Sequence, residues 1–477
     1  MRPYFLSLAL LLAACTETNP RPPPTDRFVY PSGLVHRVLP GSTNGVLYVA
    51  SANFDRCYDQ GTLMAVDLDQ VRGGGDVGLP ALGAPVEPVS TAPLKLEQLN
   101  VAESARVFIQ SYAGELALWN RTDGVPRLFV PARADGDFVH YVDVLEPTRL
   151  ACVGASEDSR DCIDGALSLT DLPWRRQTED NEETQDLPRA PAPFGVDVTP
   201  EGQVWVTHVD PADAPARSRA NFISFLVKLD GKKPGISTDS FLPLTTVAGQ
   251  AVGGSHSVEV TERYAVVSGR FNGASNVTNR RFLLRLLDTR NGQIIDPGLD
   301  LAFAALEARG LALTPASATR PRRLYLAVRS PDSLVVVDAQ GMDSDTETPS
   351  LRLVDSVPMP DGPTQVTLVS RGPARSELVV VSCSAAGVVA IYDPDVGQVV
   401  AQIAVSEVPR EQVSQPFGIA VQQQDNAARL FVSNFGDGRV AVIDIPDLGS
   451  PQLARLVAHL GTRQDAQGSS TCQEVQQ

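Results

Sequence analysis

The chain has 477 residues, of which 43% are hydrophobic and 20% are charged, with 37 glycines, 37 prolines and a formal net charge of −16. This hydrophobic fraction excludes a disordered chain. The acidic balance argues against non-specific nucleic-acid binding, which needs clustered Lys and Arg. Few charges and many turn-forming residues favour strands joined by turns over long surface helices.

The first residues have the pattern of an export signal. Arg2 gives a short positive region, and residues 4–13 form an apolar stretch that is too short to span a membrane. The Leu-Ala-Ala-Cys sequence that ends at Cys15 resembles a bacterial lipobox. The resemblance implies cleavage before Cys15 and lipidation of this cysteine with acyl chains such as palmitate. An ordinary signal peptide with an incidental cysteine is the alternative.

Cleavage at this point divides the start of the chain into two parts. Residues 1–14 are then a lipoprotein signal peptide, and residues 15–27 are the lipidated cysteine with a proline-rich, semi-rigid tether. In the lipoprotein family an aspartate after the cysteine is associated with the inner membrane, and this chain has Thr16 there. We therefore expect a lipid-anchored protein of the bacterial cell envelope, at the periplasmic or surface face of the outer membrane.

Residues 28–461 consist of one repeated unit, and residues 462–477 form a C-terminal tail. Segments that begin at Arg322, Ser376 and Ala428 each contain a β-branched run, a short turn and a second β-branched run, which is typical of β-hairpins. A Pro/Gly turn with a short strand precedes such hairpins, as in Pro-Ser-Gly at Pro31 and Pro-Phe-Gly at Pro193. This sequence pattern resembles the YVTN-type β-propeller repeat, in which four antiparallel strands make one blade.

The first hairpin strand recurs at intervals of 44 to 60 residues, and each interval is long enough for one blade. The eight candidate strands begin near Val46, Arg106, Leu150, Val204, Tyr264, Leu324, Leu378 and Leu430. We therefore predict an all-β fold, a single β-propeller with eight blades, and keep seven blades as the alternative. We expect residues 28–30 to close the ring beside residues 453–460. The composition of residues 301–310 predicts one or two helical turns.

Five cysteines remain after Cys15, and export places them in an oxidising compartment. Cys152 and Cys162 flank a short polar loop and are predicted to form a disulfide. Cys57 and Cys472 are predicted to form a second one, because ring closure brings the tail near the first blade. Cys383 is then a buried thiol. A chain without disulfides is the alternative.

The candidate site is the central channel, which the innermost strands of a propeller line. His36, His140 and His256 are predicted to lie in or near innermost strands, where a histidine cluster can bind a metal or act as a base. Isolated, hydrogen-bonded histidines are the favoured alternative. We predict no catalytic residue, metal or cofactor, because the sequence has no zinc, haem, Walker A, dinucleotide or G-x-S-x-G pattern.

These observations favour a membrane-anchored envelope lipoprotein whose propeller is a non-catalytic scaffold for a protein or glycan partner, with no nucleic-acid partner. The resemblance to YVTN-type propellers leaves an enzyme as the alternative, either lactonase-like or a metal- or quinone-dependent oxidoreductase. Its site would lie at the channel, with Asp197 and the three histidines as candidates. A sensor or assembly factor of a larger envelope machine is a third possibility. Convergence of the histidines would favour the enzyme.

Overall fold

The hairpins predicted from the sequence form antiparallel sheets in the structure, which is a computed structural model. It describes residues 21–83, 92–134, 136–156, 159–170, 173–177, 182–186, 192–209, 212–213, 222–237, 239–244, 254–269, 284–296, 307–317, 320–344, 346–406 and 414–464.

The larger sheets of the described residues are seven in number, and each is one blade of a β-propeller. We number the blades from the N-terminus and give strands from the inner to the outer edge. Blade 1 contains Pro31–Arg37, Val46–Ser51, Gly61–Asp67 and Arg106–Ile109; blade 2 contains Ala117–Trp119, Arg127–Ala132, Phe138–Glu146 and, sharing the outer edge, Arg149–Cys152 and Leu167–Ser168; blade 3 contains Pro193–Val198, Gln203–His208, Phe225–Asp230 and Phe241–Pro243; blade 4 contains Ser255–Val260, Tyr264–Gly269, Leu284–Asp288 and Ile294–Asp296.

The last three blades are the most regular. Blade 5 contains Glu307–Leu313, Arg323–Arg329, Ser333–Gln340 and Ser350–Pro358; blade 6 contains Pro363–Val369, Leu378–Cys383, Val388–Asp393 and Gln398–Ala404; blade 7 contains Pro416–Gln424, Ala427–Asn434, Arg439–Ile445 and Arg455–Leu460, with Leu94–Leu96 added at its outer edge. Smaller elements are the strand pairs Pro173–Gln177 with Glu182–Asp186 and Ala212–Asp213 with Phe222–Ile223, and the 3₁₀ turns Gly74–Asp76, Glu103–Ala105 and Pro451–Leu453.

The core lies between the blades. Successive side chains of a strand point to opposite faces of the sheet, so each strand contributes to two interfaces. In blade 7, Leu430 and Val432 pack toward blade 6, whereas Phe431 packs against blade 1. Apolar clusters of this kind fill the interfaces all round the ring. The alternating β-branched runs thus bury both faces of each sheet, as radial packing requires.

The ring closes differently from the prediction. Leu94–Leu96 pairs in parallel with Ala458, His459 and Leu460 at the outer edge of blade 7. Residues 28–30 are not a strand, but Phe28 is fully buried in the interface between blades 7 and 1. A buried ion pair reinforces this interface, because Arg429 bonds Asp444 at 2.6 Å and its Nη1 donates to Asn44 Oδ1 of blade 1 at 2.9 Å.

The prediction of eight blades is wrong, and the alternative of seven is correct. Residues 68–105 separate the third strand of blade 1 from its outer strand Arg106–Ile109. That apolar outer strand therefore resembles the start of a second blade in the sequence, although it belongs to blade 1. The strand near Leu150 is likewise not the start of a blade, because Arg149–Cys152 is an outer strand of blade 2. The second strand of blade 2, Arg127–Ala132, is absent from the eight candidates, so removing two candidates and adding this strand gives seven blades.

The predicted helix at residues 301–310 is also corrected in its described part. Glu307–Leu313 is the inner strand of blade 5 and pairs with Arg323–Arg329. The local composition favours a helix, but pairing and burial within the ring decide the outcome, because strand propensity depends strongly on context. The error matters for the site, since this strand carries Arg309.

Candidate ligand-binding site at the mouth of the channel

The inner strands begin with an irregularity that shapes one mouth of the central channel. In six of the seven blades, the pairing register of the inner strand shifts close to its first residue. Such β-bulges redirect a side chain from the regular alternation. The bulged residues that line the mouth are Ser32, Phe194, His256, Arg309 and Phe417.

Glycines next to these residues let neighbouring inner strands approach closely. A Cβ at Gly418 would lie closer than 3.0 Å to the carbonyl oxygen of Ser32 in the next blade. A Cβ at Gly195 would meet the carbonyl oxygen of His256 in the same way. Only glycine permits such an approach. The Pro-x-Gly element of the sequence therefore places its middle residue at the mouth and locks it against the adjacent blade.

Hydroxyl groups on second strands join the blades at these contacts. Ser433 Oγ accepts a hydrogen bond from Gly418 N at 2.7 Å and donates one to Ser32 O at 3.0 Å. Thr207 makes the corresponding pair of bonds, at 2.8 and 2.7 Å, between blades 3 and 4. Backbone groups at the mouth are thus held by bonds across blade boundaries.

The mouth encloses a cavity of about 640 Å³, which is in the range of small-molecule sites. One wall is a continuous series of aromatic rings, which we call the aromatic arc. Successive ring centroids are 4.6 to 6.2 Å apart. In order, the arc consists of Tyr112, Phe54, Phe435, Phe417, Phe194 and His256.

Three arginines, Arg133, Arg309 and Arg329, line the same cavity. The guanidinium carbon of Arg133 lies 5.4 Å from the ring centroid of Phe194. Nη1 of Arg309 lies 3.0 Å from Nε2 of His256. Since Phe194 and His256 are neighbours in the aromatic arc, two cationic groups lie beside one pair of rings.

Among the described residues that line the cavity, these three arginines are the ones that carry a permanent charge. Arg329 is fixed in place, because its Nη2 donates to Thr364 Oγ1 at 2.5 Å and to Ser384 Oγ at 2.9 Å. Glu307 is paired with Arg309 at 2.6 Å, and its other oxygen lies 4.0 Å from Arg329 Nη1. Arg309 and Arg329 thus share the carboxylate of Glu307.

Glu115 crosses the channel beneath the aromatic arc. Its carboxylate accepts hydrogen bonds from Gln365 Nε2 of blade 6 and from Ser257 Oγ of blade 4, the latter at 3.1 Å. Its backbone N–H donates to Phe194 O at 2.9 Å. Glu115 itself lies just before the inner strand of blade 2, so the carboxylate links three blades that are not neighbours.

Two further carboxyl groups, Asp197 and Glu259, share with Glu115 a lower cavity of about 190 Å³. Burial raises the pKa of Glu115 to about 7, although the hydrogen bonds it accepts oppose this. Burial also raises the pKa of Asp197, against two backbone amides that donate to it. The pKa of Glu259 is raised well above its ordinary value by burial and by the other two carboxylates. This part of the channel therefore retains protons near neutral pH.

The structure does not bring the three predicted histidines together. His256 lies at the mouth in the aromatic arc. His36 is on the inner strand of blade 1, but its ring stacks on Phe431 of blade 7 at 5.2 Å and its Nε2 lies 2.7 Å from Asn44 O. His36 therefore packs between blades 7 and 1 instead of facing the channel. Its burial there lowers its pKa.

His140 was predicted to lie near an innermost strand, and this is wrong. It is on the third strand of blade 2 and is fully buried. Its Nε2 accepts a hydrogen bond from Gln110 N at 3.1 Å, and its Nδ1 donates to Cys162 O at 3.2 Å. Burial lowers its pKa to about 4. The error follows from the blade count, which placed a blade boundary inside blade 2.

The four cysteines within the described ranges are three disulfide-bonded residues and one buried thiol. Cys152 and Cys162 form the predicted disulfide, with an S–S distance of 2.01 Å. Cys57 is also disulfide-bonded, and Cys472, its predicted partner, lies outside the described residues, as does Cys15. Cys383 is a buried free thiol, and burial raises its pKa to about 12.

The described ranges contain neither a metal-binding cluster nor a membrane-spanning helix. No group of three or more His, Cys, Asp or Glu side chains in these ranges has an arrangement that could hold a metal ion. No helix in the same part of the chain has the length and apolar character needed to cross a membrane.

No protein-family model and no curated protein matches the sequence. Among solved structures, the chain is similar to the β-propeller domain of Myceliophteria thermophila Cps50 (Swd1), with 12% identity and a TM-score of 0.47 over 86% of this chain and 95% of that one. It is also similar to the periplasmic gluconolactonase PpgL of Pseudomonas aeruginosa, with 14% identity and a TM-score of 0.46 over 91% and 97% of the two chains. A third is apo AztD of Citrobacter koseri, with 13% identity and a TM-score of 0.41 over 90% and 86%. Similarity at this level carries no argument on function.

Sequence reasoning identified Asp197 and His256 but missed the three arginines, the aromatic arc and Glu115. A usable signal was present in the Pro-x-Gly repeats, because their middle residue is the one that the bulge directs to the mouth. Aligning the repeats on this position finds Ser32, Phe194 and Phe417. Arg309 was hidden in the segment predicted to be helical.

Proposed function

We propose that this chain is a lipid-anchored envelope protein whose propeller binds a small organic ligand at the mouth of its channel, as a binding scaffold without catalysis. The observation that carries the proposal is the cavity of about 640 Å³, in which an aromatic arc and three arginines converge. Apolar walls with a few fixed polar groups are the usual composition of a small-molecule site.

The binding half of the proposal is tested by blocking the mouth. Ala385 is exposed on a turn that lines the cavity, so Ala385→Trp obstructs the site with little effect on the core. Val396, 58% exposed, lies on a turn at the opposite end of the same blade, which makes Val396→Trp the matched control. We expect ligand-observed NMR with a mixed library of neutral, anionic and cationic fragments to lose its hits for Ala385→Trp and to keep them for Val396→Trp. Identical hits for both variants would contradict binding at the mouth.

The anchoring half rests on the lipobox resemblance and the proline-rich tether. Multiple acyl chains give stable membrane attachment, whereas a single chain is marginal. We expect radiolabelled palmitate to enter the native protein, which fractionates with the outer membrane, and Cys15→Ser to remain unlabelled and to be released. A Cys15→Ser protein that remains in the outer-membrane fraction would show that the anchor lies elsewhere.

An enzyme acting at the channel, lactonase-like in type, is the second candidate. The observation that favours it is Glu115, whose pKa of about 7 is in the range suited to proton transfer near neutral pH. The carboxylate is bonded to Gln365, and the backbone N–H of Glu115 donates to Phe194 O, so a substrate that enters from the mouth would have to reach past the aromatic arc. Hydrolysis of a lactone by the native protein, abolished in Glu115→Gln, would establish this candidate in place of a pure binding role.

A further inference from the structure

The chemistry of the mouth also indicates which class of ligand it takes. We propose that the mouth binds a ring-bearing organic anion, with an oxyanion head group, carboxylate or phosphate, between Arg133 and Arg309 and with its ring against the aromatic arc. This inference rests on the proposed function, because it assumes that the mouth is a binding site.

The head-group position follows from the two arginines that flank the Phe194–His256 pair. Arg133 lies over the Phe194 ring at 5.4 Å, and Arg309 lies 3.0 Å from His256 Nε2. They come from blades 2 and 5, which are not adjacent in the ring. Planar guanidinium groups match the oxygens of carboxylates and phosphates, often through two parallel hydrogen bonds.

The three arginines that line the cavity favour an anion over a neutral or cationic ligand. The carboxylate of Glu307 lies beside two of them, Arg309 and Arg329. The carboxyl groups below the mouth hold protons, since burial raises the pKa of Glu115 to about 7. They therefore oppose an anion less than three ionised carboxylates would.

The ring requirement follows from the aromatic arc. Phe54 is 48% exposed although it is aromatic, and it contacts Tyr112 and Phe435 at centroid distances of 5.1 and 5.5 Å. Phe194 and Phe417 come from blades 3 and 7 and meet across the channel at 5.8 Å. Aromatic pairs gain more from offset or edge contacts than their buried area alone provides. A flat ring therefore finds partners that a short aliphatic acid does not.

The test uses calorimetry on the full-length protein with four simple probes: benzoate, its neutral analogue benzamide, acetate, which has no ring, and phenyl phosphate. We expect benzoate to bind at least about tenfold more tightly than benzamide, which loses the charge-assisted hydrogen bonds, and at least about tenfold more tightly than acetate, which loses the contacts with the aromatic arc. Tighter binding of phenyl phosphate than of benzoate supports the proposal and identifies phosphate as the preferred head group. Equal binding of benzamide and benzoate would overturn the proposed class.

Variants locate the head group. Arg133→Gln and Arg309→Gln are each expected to weaken benzoate binding about tenfold and to leave benzamide binding unchanged. Arg309→Lys, which keeps the charge, is expected to recover part of the loss and guards against misfolding of the glutamine variant. Arg375→Gln is the matched control, since Arg375 is partly exposed and pairs with Asp395 on another part of the surface. Unchanged benzoate binding in Arg133→Gln and Arg309→Gln would overturn the assignment.

The two proposals fail in different ways. If Ala385→Trp abolishes binding while the arginine variants do not affect it, the mouth is the site and the ligand class is wrong. If Ala385→Trp changes nothing, the proposed function itself fails.

Discussion

The mouth and the lower channel are lined by the same inner strands, yet their chemistry is opposite. At the mouth, bulged positions carry Phe194, His256 and Arg309 around a large open cavity. A few residues further along the same strands, Asp197 and Glu259 line a cavity of about 190 Å³. Between the two regions, glycines pack against the backbone of the next blade. We call this level of the channel, marked by Gly195 and Gly418, the waist. Close packing restricts the choice of residue at the waist, whereas the residue types at the mouth differ from blade to blade.

We expect the largest difference in stability between a glycine-to-alanine change at the waist and the same change on an open surface. Gly418→Ala places a Cβ against the Ser32 carbonyl of the next blade, and we expect it to lower the free energy of unfolding by about 3 kcal/mol. Gly235, which has open space where its Cβ would lie, is the control, and Gly235→Ala should change the value by less than about 0.5 kcal/mol. Chemical denaturation measures both. Similar values for the two variants would break the distinction between waist and surface.

The hydroxyl links between blades should give a smaller effect. Ser433→Ala removes both bonds that join Gly418 to Ser32, and we expect a loss of about 1–2 kcal/mol, because two backbone groups lose their partner. Ser433→Thr keeps the hydroxyl, and Thr207 makes the same bonds in blade 3. We therefore expect Ser433→Thr to be near wild type in the same denaturation experiment. A threonine variant as weak as the alanine variant would show that packing, not the hydroxyl, matters.

The lower channel should make stability depend on pH. The pKa of Glu115 is about 7 in the folded protein and near 4.3 in an unfolded chain. The folded state holds this proton more tightly, so its stabilising contribution is complete below about pH 4 and is lost as the pH rises through 7. We expect the melting temperature to fall between pH 5 and 8, and Glu115→Gln to reduce this fall. An unaltered pH profile in Glu115→Gln would exclude Glu115 as its source.

Ionisation of the lower channel should also affect ligand binding at the mouth, although weakly. Ionisation of Glu115, Asp197 and Glu259 places negative charge beneath the mouth, so an anion there binds less tightly as the pH rises from 6 to 8. We expect a loss of a few-fold in benzoate affinity over this range and none for benzamide, measured by calorimetry, with a smaller loss in Glu115→Gln. The other titratable and charged side chains that face the ligand are Arg133, Arg309, Arg329 and His256, with Glu307 beside Arg309, and the Glu115→Gln comparison separates the contribution of Glu115 from theirs. An equal pH dependence for benzamide would remove the electrostatic explanation.

The fold was predictable from the sequence because each blade repeats the same physical pattern. The alternating apolar runs after Arg322, Ser376 and Ala428 correctly predicted hairpins of blades 5, 6 and 7. The blade count was not predictable in this way, because the outer strand Arg106–Ile109 is separated from blade 1 by a long insertion. Part of that insertion, Leu94–Leu96, pairs with blade 7, a contact that local sequence does not encode.

The candidate site was harder to predict, since its residues are unlike one another. Ser32, Phe194, His256 and Arg309 occupy equivalent positions in their blades, but their residue types differ, and Pro-x-Gly flanks only Ser32 and Phe194. The backbone bulge that brings them together depends on pairing with the second strand. The arginines are far apart in the sequence, and they form a candidate anion site only because the closed ring places Arg133 and Arg309 at the same mouth.

The most direct measurement is the crystal structure of the protein with 4-bromobenzoate, whose bromine gives an anomalous signal that locates the ring. The account predicts an anomalous peak in the mouth beside the aromatic arc, with the carboxylate oriented toward Arg133 and Arg309. A peak in the cavity of about 230 Å³ near Arg320 and Tyr392, between blades 5 and 6, or an empty mouth at saturating probe, would contradict it.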